Sequence, residues 1–220
     1  MDKPVIILGA GGLGKLALEI FQSNGNLVYG FLDDDEGLIG QEIAEVPVLG
    51  KLEEQGFLKL IGNKCESFVA VDDRQLQQGL VNMLNETRKV MPVNAIHQQA
   101  YLSRSSQIGH GNLFSVGAVL NAFAHVGNHC IIGSGSLIDF EAKIGDYGQI
   151  GAGSTIGAEV EIADEVFVGS GVTLVPGIKV ARNARIGAGS VVVNNVAENE
   201  TVFGNPAQPV NNSSKAHGPV

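Results

Sequence analysis

A glycine-rich turn near the N-terminus is the first part of the chain whose residue types could do chemistry. Gly9-Ala10-Gly11-Gly12-Leu13-Gly14 follows the apolar stretch Val5–Leu8 and precedes a helix-like segment that reaches Ile20. Glycines between a strand and a helix let the phosphates of a nucleotide approach backbone amides at the helix N-terminus. The sequence therefore predicts a nucleotide site here, and the alternative is a tight turn that binds nothing.

An aspartate run extends this predicted site. Asp33 lies nineteen residues beyond Gly14 and ends the strand-like stretch Leu27–Leu32, within the run Asp33-Asp34-Asp35. This spacing is typical of the acidic residue in a dinucleotide fold. A solvated loop is the alternative, although the position at the end of a strand favours ligand contact. An NAD-dependent oxidoreductase is a minor alternative, because the segment is too short for a second mononucleotide half.

The elements that must position these residues alternate between strand and helix. Val46–Leu49 and Phe68–Asp72 are predicted as further strands, and Gln75–Leu84 as a further helix. This alternation predicts an α/β, Rossmann-like domain over residues 1–95.

A six-residue repeat follows this domain. From Leu102 to Val192, sixteen consecutive sixth positions are aliphatic or Phe, and eight of the residues that directly follow them are glycine. Six residues form one short strand plus a corner, and three such units close a triangular coil of eighteen. Ile138 is therefore predicted to lie between Leu120 and Ile156.

The repeat also predicts what occupies the inside of the coil. Residues two positions before the aliphatic series are mostly small, as at Cys130, Ser136 and Ser154, and are expected to fit inside near the corners. The glycines are expected to supply the unusual backbone conformation of the corners. The predicted architecture is an all-β parallel β-helix over residues 96–210, followed by a polar tail, 211–220, expected to be flexible.

Composition narrows the classes of function. The formal charge of −9 argues against nucleic-acid binding, which needs clustered Lys and Arg. No apolar run approaches the length of a membrane span, and Met1 leads directly into a strand-like segment without a basic leader. Cys65 and Cys130 lie in different halves and form no metal motif. A cytoplasmic protein without metal, nucleic-acid partner or membrane partner is expected.

Five segments carry a family resemblance: Ile6–Gly12, Gly30–Asp34, Val46–Gly50, Ile186–Val192 and Gly204–Ala207. In this order they resemble hexapeptide-repeat sugar acyltransferases of the sialic acid O-acetyltransferase and UDP-4-amino-sugar (bacillosamine-type) N-acetyltransferase family. The resemblance covers nearly the whole chain. It implies a left-handed winding of the β-helix and a homotrimer with acyl-CoA between adjacent β-helices. It also implies that the N-terminal domain holds a nucleotide-linked sugar.

The resemblance implies the site residues as well. Those facing the nucleotide sugar would be Gly11, Gly12, Leu13, Asp33, Asp34, Asp72 and Asp73. Those along acyl-CoA would be Ala158, Gly169, Ser170, Pro176, Ala188, Gly204, Asn205 and Pro206. The backbone N–H of Ala158 matches the oxyanion position of the family. The alternative is that these residues are ordinary coil corners and a terminal turn.

Three histidines of the family are absent from this chain. By register, the acid/base histidine falls at Phe140, the one near the acyl thioester at Gln149, and the one in the glycine turn at Leu13. The acidic residue that orients the acid/base histidine in the family is retained here as Glu141. A phenyl ring cannot take a proton, so the usual base is missing.

Three interpretations of this loss compete. In the first, the acceptor amine attacks while already neutral, and the enzyme supplies orientation and an oxyanion donor. In the second, another group replaces the base: Glu141 if burial lets it hold a proton, then His125 or His110. In the third, acyl transfer is lost, and the protein is a ligand-binding or scaffold trimer.

The sequence thus predicts an acyltransferase that uses acetyl-CoA as cosubstrate. Its acceptor would be a nucleotide-linked amino sugar of surface-glycan biosynthesis. Sugar O-acetylation is a minor alternative, because the residues do not distinguish a nitrogen acceptor from an oxygen acceptor.

Overall fold

The computed structural model describes residues 3–210 and divides the chain into two compact units. Of the described residues, the first unit contains those up to 100 and 109–116, and the second contains 101–108 and those from 117 onward. The predicted flexible tail, 211–220, lies outside the described residues.

The first unit is built on a five-stranded sheet with helices after three of its strands. The strands are β1 (Val5–Leu8), β2 (Val28–Leu32), β3 (Glu42–Ile43), β4 (Val46–Gly50) and β5 (Glu66–Val69), in the order β3-β4-β2-β1-β5. The helices are α1 (Gly12–Ser23), α2 (Gln55–Leu58) and α3 (Arg74–Met83), and a π-helical turn, Leu84–Arg88, extends the last. All pairings are parallel except the β3–β4 hairpin.

Burial explains why β1 has an unbroken apolar sequence. All four of its residues are buried, as expected for a parallel strand covered on both faces. The rings of Phe21 and Phe68 meet edge to face, with centroids 5.8 Å apart, and join α1 to β5. The carboxyl ends of β1, β2 and β5 therefore form a fixed edge from which the glycine turn and the aspartates emerge.

Two-residue strands recur every six residues along the rest of the chain. They are β6 (Ala95–Ile96), β7 (Tyr101–Leu102), β8 (Gln107–Ile108), β9 (Leu113–Phe114), β10 (Val119–Leu120), β11 (His125–Val126), β12 (Ile131–Ile132), β13 (Leu137–Ile138), β14 (Lys143–Ile144), β15 (Gln149–Ile150), β16 (Thr155–Ile156), β17 (Glu161–Ile162), β18 (Phe167–Val168), β19 (Thr173–Leu174), β20 (Lys179–Val180), β21 (Arg185–Ile186) and β22 (Val191–Val192). A hairpin of β23 (Thr201–Gly204) and β24 (Ala207–Pro209) ends the described chain.

Three parallel sheets enclose the interior of the second unit. Face 1 is β7-β10-β13-β16-β19-β22, face 2 is β8-β11-β14-β17-β20, and face 3 contains β12-β15-β18-β21-β23. Ile138 pairs with Leu120 below and Ile156 above, which confirms the predicted eighteen-residue stack. The small residues at Cys130, Ser136 and Ser154 are fully buried, as predicted.

The predicted role of the repeat glycines is wrong. Glycines that directly follow the aliphatic series, such as Gly145, Gly157 and Gly169, do not have positive φ. They leave room for the next coil: an added Cβ at Gly157 would lie 2.7 Å from the Leu174 carbonyl oxygen, and one at Gly169 2.6 Å from the Ala188 nitrogen. Close approach of neighbouring coils, rather than backbone conformation, therefore requires glycine there.

Positive φ occurs at the tips of the corners, two residues after the position that directly follows each aliphatic residue. Between faces 3 and 1 glycine occupies this position, with φ between +66° and +70° at Gly135, Gly153, Gly171 and Gly189. Between faces 1 and 2 the same position holds Phe123, Glu141 and Glu159, each at +58°. The second corner thus places large side chains where the backbone favours glycine.

Within residues 3–210, no helix is long and apolar enough to cross a membrane. The same part of the chain contains no cluster of three or more His, Cys, Asp or Glu residues arranged to hold a metal ion.

Candidate functional site

The glycines between β1 and α1 are of two kinds. Gly9 has φ of +109°, and Gly14 packs against the Gly9 carbonyl, so the turn itself requires both. An added Cβ at Gly11 or Gly12 would meet no atom within 4 Å, and neither residue has positive φ. The packing of the protein does not explain these two glycines, whereas a ligand lying against the backbone would.

The start of α1 offers backbone donors to such a ligand. Gly11 is the N-cap residue, and no side chain caps this helix of 12 residues. The first N–H groups of a helix have no acceptor within it, and the helix dipole favours an anion there. Gly11 and Gly12 are exposed and Leu13 is half-buried. The turn is therefore suited to a phosphate group.

Asp33 holds the glycine turn in place through both carboxylate oxygens. Oδ2 accepts the backbone N–H of Ala10 at 2.6 Å, and Oδ1 accepts that of Asp35 at 2.9 Å. This half-buried side chain was predicted to face a ligand. Its contacts make it a support for the turn, and its ligand contact stays a prediction.

Two of the other predicted aspartates also bind backbone amides. Asp34 accepts the N–H of Leu52 at 3.0 Å, and Asp73 caps α3 by accepting the N–H of Leu76 at 2.8 Å. Asp72 is exposed and lies beyond β5, which ends at Val69 rather than at Asp72 as predicted. Asp72 is thus the predicted aspartate whose position leaves it open to a ligand.

Phe140 lies at the corner between faces 1 and 2, and 46% of its surface is exposed. Its N–H donates to Asp139 Oδ1 at 2.8 Å, and the same oxygen accepts a hydrogen bond from the Asn121 side chain at 3.0 Å. The corner is therefore well fixed, and it presents an aromatic ring at the position predicted for a base.

Glu141, the first candidate for a replacement base, is exposed in its protomer. It borders a groove of about 360 Å³ whose charged lining is Glu141, Lys143, Glu159, Glu161 and Lys179. The burial on which a base role depends is therefore not supplied by the protomer itself.

The weaker base candidates lie elsewhere. His125 is exposed on face 2, in register with Lys143. His110 lies in the first unit, where it is exposed. Neither histidine occupies the corner that contains Phe140.

Ala158 stands at the same corner as Phe140 and retains a usable N–H group. The coil-to-coil ladder at this corner uses the N–H of Gly157, bonded to Leu174 at 3.0 Å, and that of Glu159, bonded to Phe140 at 3.1 Å. The Ala158 carbonyl accepts the Gly177 N–H at 2.9 Å, while its own N–H forms no bond within the ladder. An unused backbone donor between two fixed neighbours suits an oxyanion.

The residues predicted along acyl-CoA fall at two corners, one at each end of the face 1 strands. Ala158 and Pro176 lie between faces 1 and 2, whereas Gly169, Ser170 and Ala188 lie between faces 3 and 1. Gln149 lies on face 3, in β15. The structure therefore does not gather the whole predicted set at one place in a single protomer.

The turn at the end of the described chain is tied to the neighbouring coil by Ser190. The Ser190 hydroxyl accepts the Gly204 N–H at 3.0 Å and donates to the Gly187 carbonyl at 2.7 Å. The predicted residues Asn205 and Pro206, which follow Gly204, are exposed and joined by a cis peptide bond. Ser190 was missed at the sequence level, although a serine at a buried position of the repeat is a signal for such a bond.

Comparison with known proteins gives a family match within the first unit. Residues 4–84 match the family model of the PglD N-terminal domain. This segment is therefore similar to the PglD N-terminal domain. A search of curated proteins found no match.

Several solved structures resemble the N-terminal domain and the β-helix of this chain together. A histidine-to-asparagine variant of perosamine N-acetyltransferase from Caulobacter crescentus, in complex with CoA and GDP-perosamine, is 28% identical, with a TM-score of 0.87 over 96% of this chain and 99% of that one. PerB from the same organism, with the same ligands, is 26% identical, with a TM-score of 0.76 over 96% and 98%. The acetyltransferase domain of PglB from Neisseria gonorrhoeae FA1090, with acetyl coenzyme A, is 24% identical, with a TM-score of 0.75 over 96% and 100%.

These matches confirm the resemblance predicted from the sequence. They also confirm the fold class, in which an α/β domain precedes a left-handed parallel β-helix. The architecture is that of the nucleotide-amino-sugar acetyltransferases.

Proposed function

We propose that this protein transfers the acyl group of acyl-CoA, acetyl in the simplest case, to the amine of a nucleotide-linked sugar for surface-glycan synthesis. One observation carries the proposal: the fold is shared over 96% of the chain with a perosamine N-acetyltransferase that was crystallised with both CoA and GDP-perosamine. The uncovered backbone at Gly11 and Gly12, where an added Cβ would meet no atom, supports a nucleotide site. This support is independent of the comparisons, because it is an observation on this chain alone.

We assign nucleotide-sugar binding to residues 1–95 and acyl transfer to residues 96–210. The sugar amine would attack the thioester carbonyl and form the C–N bond of a tetrahedral intermediate. The C–S bond would then break, and the departing thiolate would take the proton that the amine loses, so that CoA leaves as its thiol. The N–H of Ala158 would stabilise the oxyanion of the tetrahedral intermediate. An amine that is already neutral needs no base for the attack, and its extra proton leaves afterwards.

We infer that the working form is a cytoplasmic homotrimer. The two groups of predicted acyl-CoA residues lie at opposite ends of the face 1 strands, so a neighbouring copy is needed to bring unlike corners together. Face 1 presents Val119, Leu137 and Val191 outward, each half-buried in the protomer. A neighbour packed near this apolar surface would also bury Glu141, as the replacement-base interpretation requires.

A second candidate is a binding protein without transferase activity. The exposed ring of Phe140 and the exposed carboxylate of Glu141 favour it, because neither reproduces a buried acid/base pair. Both candidates use the same ligands, so only turnover separates them.

An acetyl-transfer assay over UDP-, dTDP- and GDP-linked amino sugars tests the proposal. If the amine attacks unaided, Phe140→Ala and Glu141→Gln retain activity, and the rate rises with pH as the acceptor amine loses its proton. If Glu141 is the base, Glu141→Gln lowers kcat by roughly a hundred- to ten-thousand-fold. Glu159→Gln, at the equivalent position one coil away, is the control and retains activity.

No turnover with any acceptor, together with nucleotide-sugar and CoA binding, supports the binding protein. No binding of CoA or of any nucleotide overturns both candidates.

A further inference from the structure

Arg185 differs from the other cations near the end of the second unit. Lys179 pairs with Glu161 at 2.8 Å, and Arg182 pairs with Glu165 at 2.6 Å. Arg185 has no carboxylate within 4.0 Å among the described residues, and its guanidinium carbon lies 4.7 Å from the centre of the Phe167 ring. The Arg185 side chain is exposed, so its positive charge lies over an aromatic ring and remains open to solvent.

The nearest acidic residue in the backbone ladder is directed away from this cation. The Arg185 N–H donates to the Glu200 carbonyl at 2.8 Å. The Glu200 side chain, however, accepts the Ala197 N–H at 2.8 Å. In a chain with a formal charge of −9, an arginine without a carboxylate is suited to an anion from outside the protein.

The position of Arg185 indicates which anion. It begins β21, two residues before the corner Gly187–Ser190, and β21 pairs with β23, which ends at Gly204. The proposed path of acyl-CoA follows this corner and this turn. The CoA phosphates lie at the end opposite the thiol, so a cation for them belongs in these last coils, beyond the thioester end at Ala158.

Phe203 adds an exposed aromatic ring on the strand that pairs with β21. Its ring packs on Gly187, where a Cβ would meet it, and 58% of its surface is exposed. It lies on the strand paired with β21, and it faces outward because Val202 is buried. An exposed ring on the strand paired with the one that carries Arg185 suits adenine, and the guanidinium suits a phosphate, at one end of CoA.

We propose that Arg185 binds the 3′-phosphate of acyl-CoA and thereby selects CoA over donors that lack this group. This proposal rests on the proposed function. A phosphate monoester carries nearly two negative charges near neutral pH, and the planar guanidinium can donate two hydrogen bonds to it. Phe167 restricts the guanidinium before the ligand arrives, which lowers the entropic cost of binding.

Calorimetric titration with CoA and with 3′-dephospho-CoA tests the proposal on the full chain. Arg185→Met removes the charge and keeps an unbranched side chain over Phe167. We expect wild type to prefer CoA by roughly 10- to 100-fold, as a charged hydrogen-bond pair provides, and Arg185→Met to bind the two ligands equally. Arg182→Met, which removes a cation of the same coil, is expected to keep the wild-type preference.

Other results of these titrations would overturn the assignment of Arg185 to the 3′-phosphate. An equal loss of affinity for both ligands in Arg185→Met overturns the assignment to the 3′-phosphate, as does a variant that keeps the wild-type preference. Transfer from acetyl-CoA and acetyl-3′-dephospho-CoA with the same KM by wild type would overturn the proposal and leave the transferase function intact. If wild type binds neither ligand, the proposal and the acyl-CoA function both fail.

Discussion

Asp33 Oδ2 accepts the backbone N–H of Ala10 at 2.6 Å, which joins the end of β2 to the turn that follows β1. The same carboxylate accepts the N–H of Asp35 at 2.9 Å. Residues 23 positions apart are thereby fixed at the edge of the sheet where the nucleotide is proposed to bind. The glycine turn therefore depends on an aspartate that need not touch the ligand.

Replacing Asp33 with Ala is expected to lower the free energy of unfolding by about 1–3 kcal/mol, because two amides lose a charged acceptor. Nucleotide binding should weaken with it, since the turn loses its support. Urea unfolding and nucleotide titration measure the two effects. Asp35→Ala is the control, because the Asp35 carboxylate accepts the N–H of Gly37 in an exposed part of the loop. This substitution should lower the free energy of unfolding by less than about 1 kcal/mol. Equal effects of the two substitutions would contradict the supporting role of Asp33.

Gly12→Ala and Gly14→Ala are expected to separate binding from folding. An added Cβ at Gly12 meets no atom within 4 Å, so stability should stay the same or rise by about 0.4–1 kcal/mol. Nucleotide affinity should fall, because the methyl group covers the amides at the start of α1. At Gly14 the Cβ would strike the Gly9 carbonyl, so unfolding should become easier. Thermal unfolding with and without nucleotide measures stability and nucleotide affinity in both variants. Unchanged affinity in Gly12→Ala would contradict the assignment of a phosphate to this turn.

The sequence predicted the β-helix well because one physical requirement repeats at each coil. Inward positions such as Leu120, Ile138 and Ile156 must be apolar, and a single insertion would turn the following residues outward. The physical reason why glycine follows many of the aliphatic positions could not be predicted from the repeat in the same way. Gly157 and Gly169 are needed because of atoms seventeen or nineteen residues away, and the spacing of these glycines alone does not distinguish this cause from a corner with positive φ.

The sequence predicted where the candidate site lies in the fold better than it predicted the individual contacts within the site. The glycine turn, Asp33 and the final turn were found from local patterns, since each ends a strand. Which oxygen of Asp33 binds which amide depends on the folded loop. Arg185 and Phe167 lie eighteen residues apart on adjacent coils, so their contact depends on side-chain orientation as well as register.

Ser190→Ala is expected to weaken acyl-CoA binding through the final turn. The substitution leaves the Gly204 N–H without its acceptor, at a cost of about 1–3 kcal/mol. Ser136→Ala is the matched control, because Ser136 is also buried and donates to a carbonyl, that of Gly151, at 2.9 Å. Both variants should lose stability in urea unfolding, whereas only Ser190→Ala should lose CoA affinity. The same affinity loss in both would mean that general loosening of the β-helix causes it.

Cys130 gives the protein a predicted sensitivity to alkaline pH. The buried thiol donates to the Gly145 carbonyl at 3.1 Å, and burial raises the pKa of Cys130 from 9.0 to about 12. In the unfolded chain the thiol ionises near its ordinary pKa, so the unfolded state loses its proton first. The contribution to stability is therefore complete below about pH 9 and is lost as the pH rises towards 12, with a slope of at most about 1.4 kcal/mol per pH unit.

Cys130→Ala is expected to flatten this alkaline loss, since alanine already occupies equivalent positions such as Ala124 and Ala142. Part of the loss should remain, because burial, followed by the nearby Asp146 and Glu165, also raises the pKa of Tyr147. Urea unfolding at a series of pH values from 8 to 11 measures the difference between wild type and variant. Parallel curves for the two proteins would show that Cys130 does not contribute, and rapid reaction of the native thiol with an alkylating reagent at pH 8 would contradict its burial.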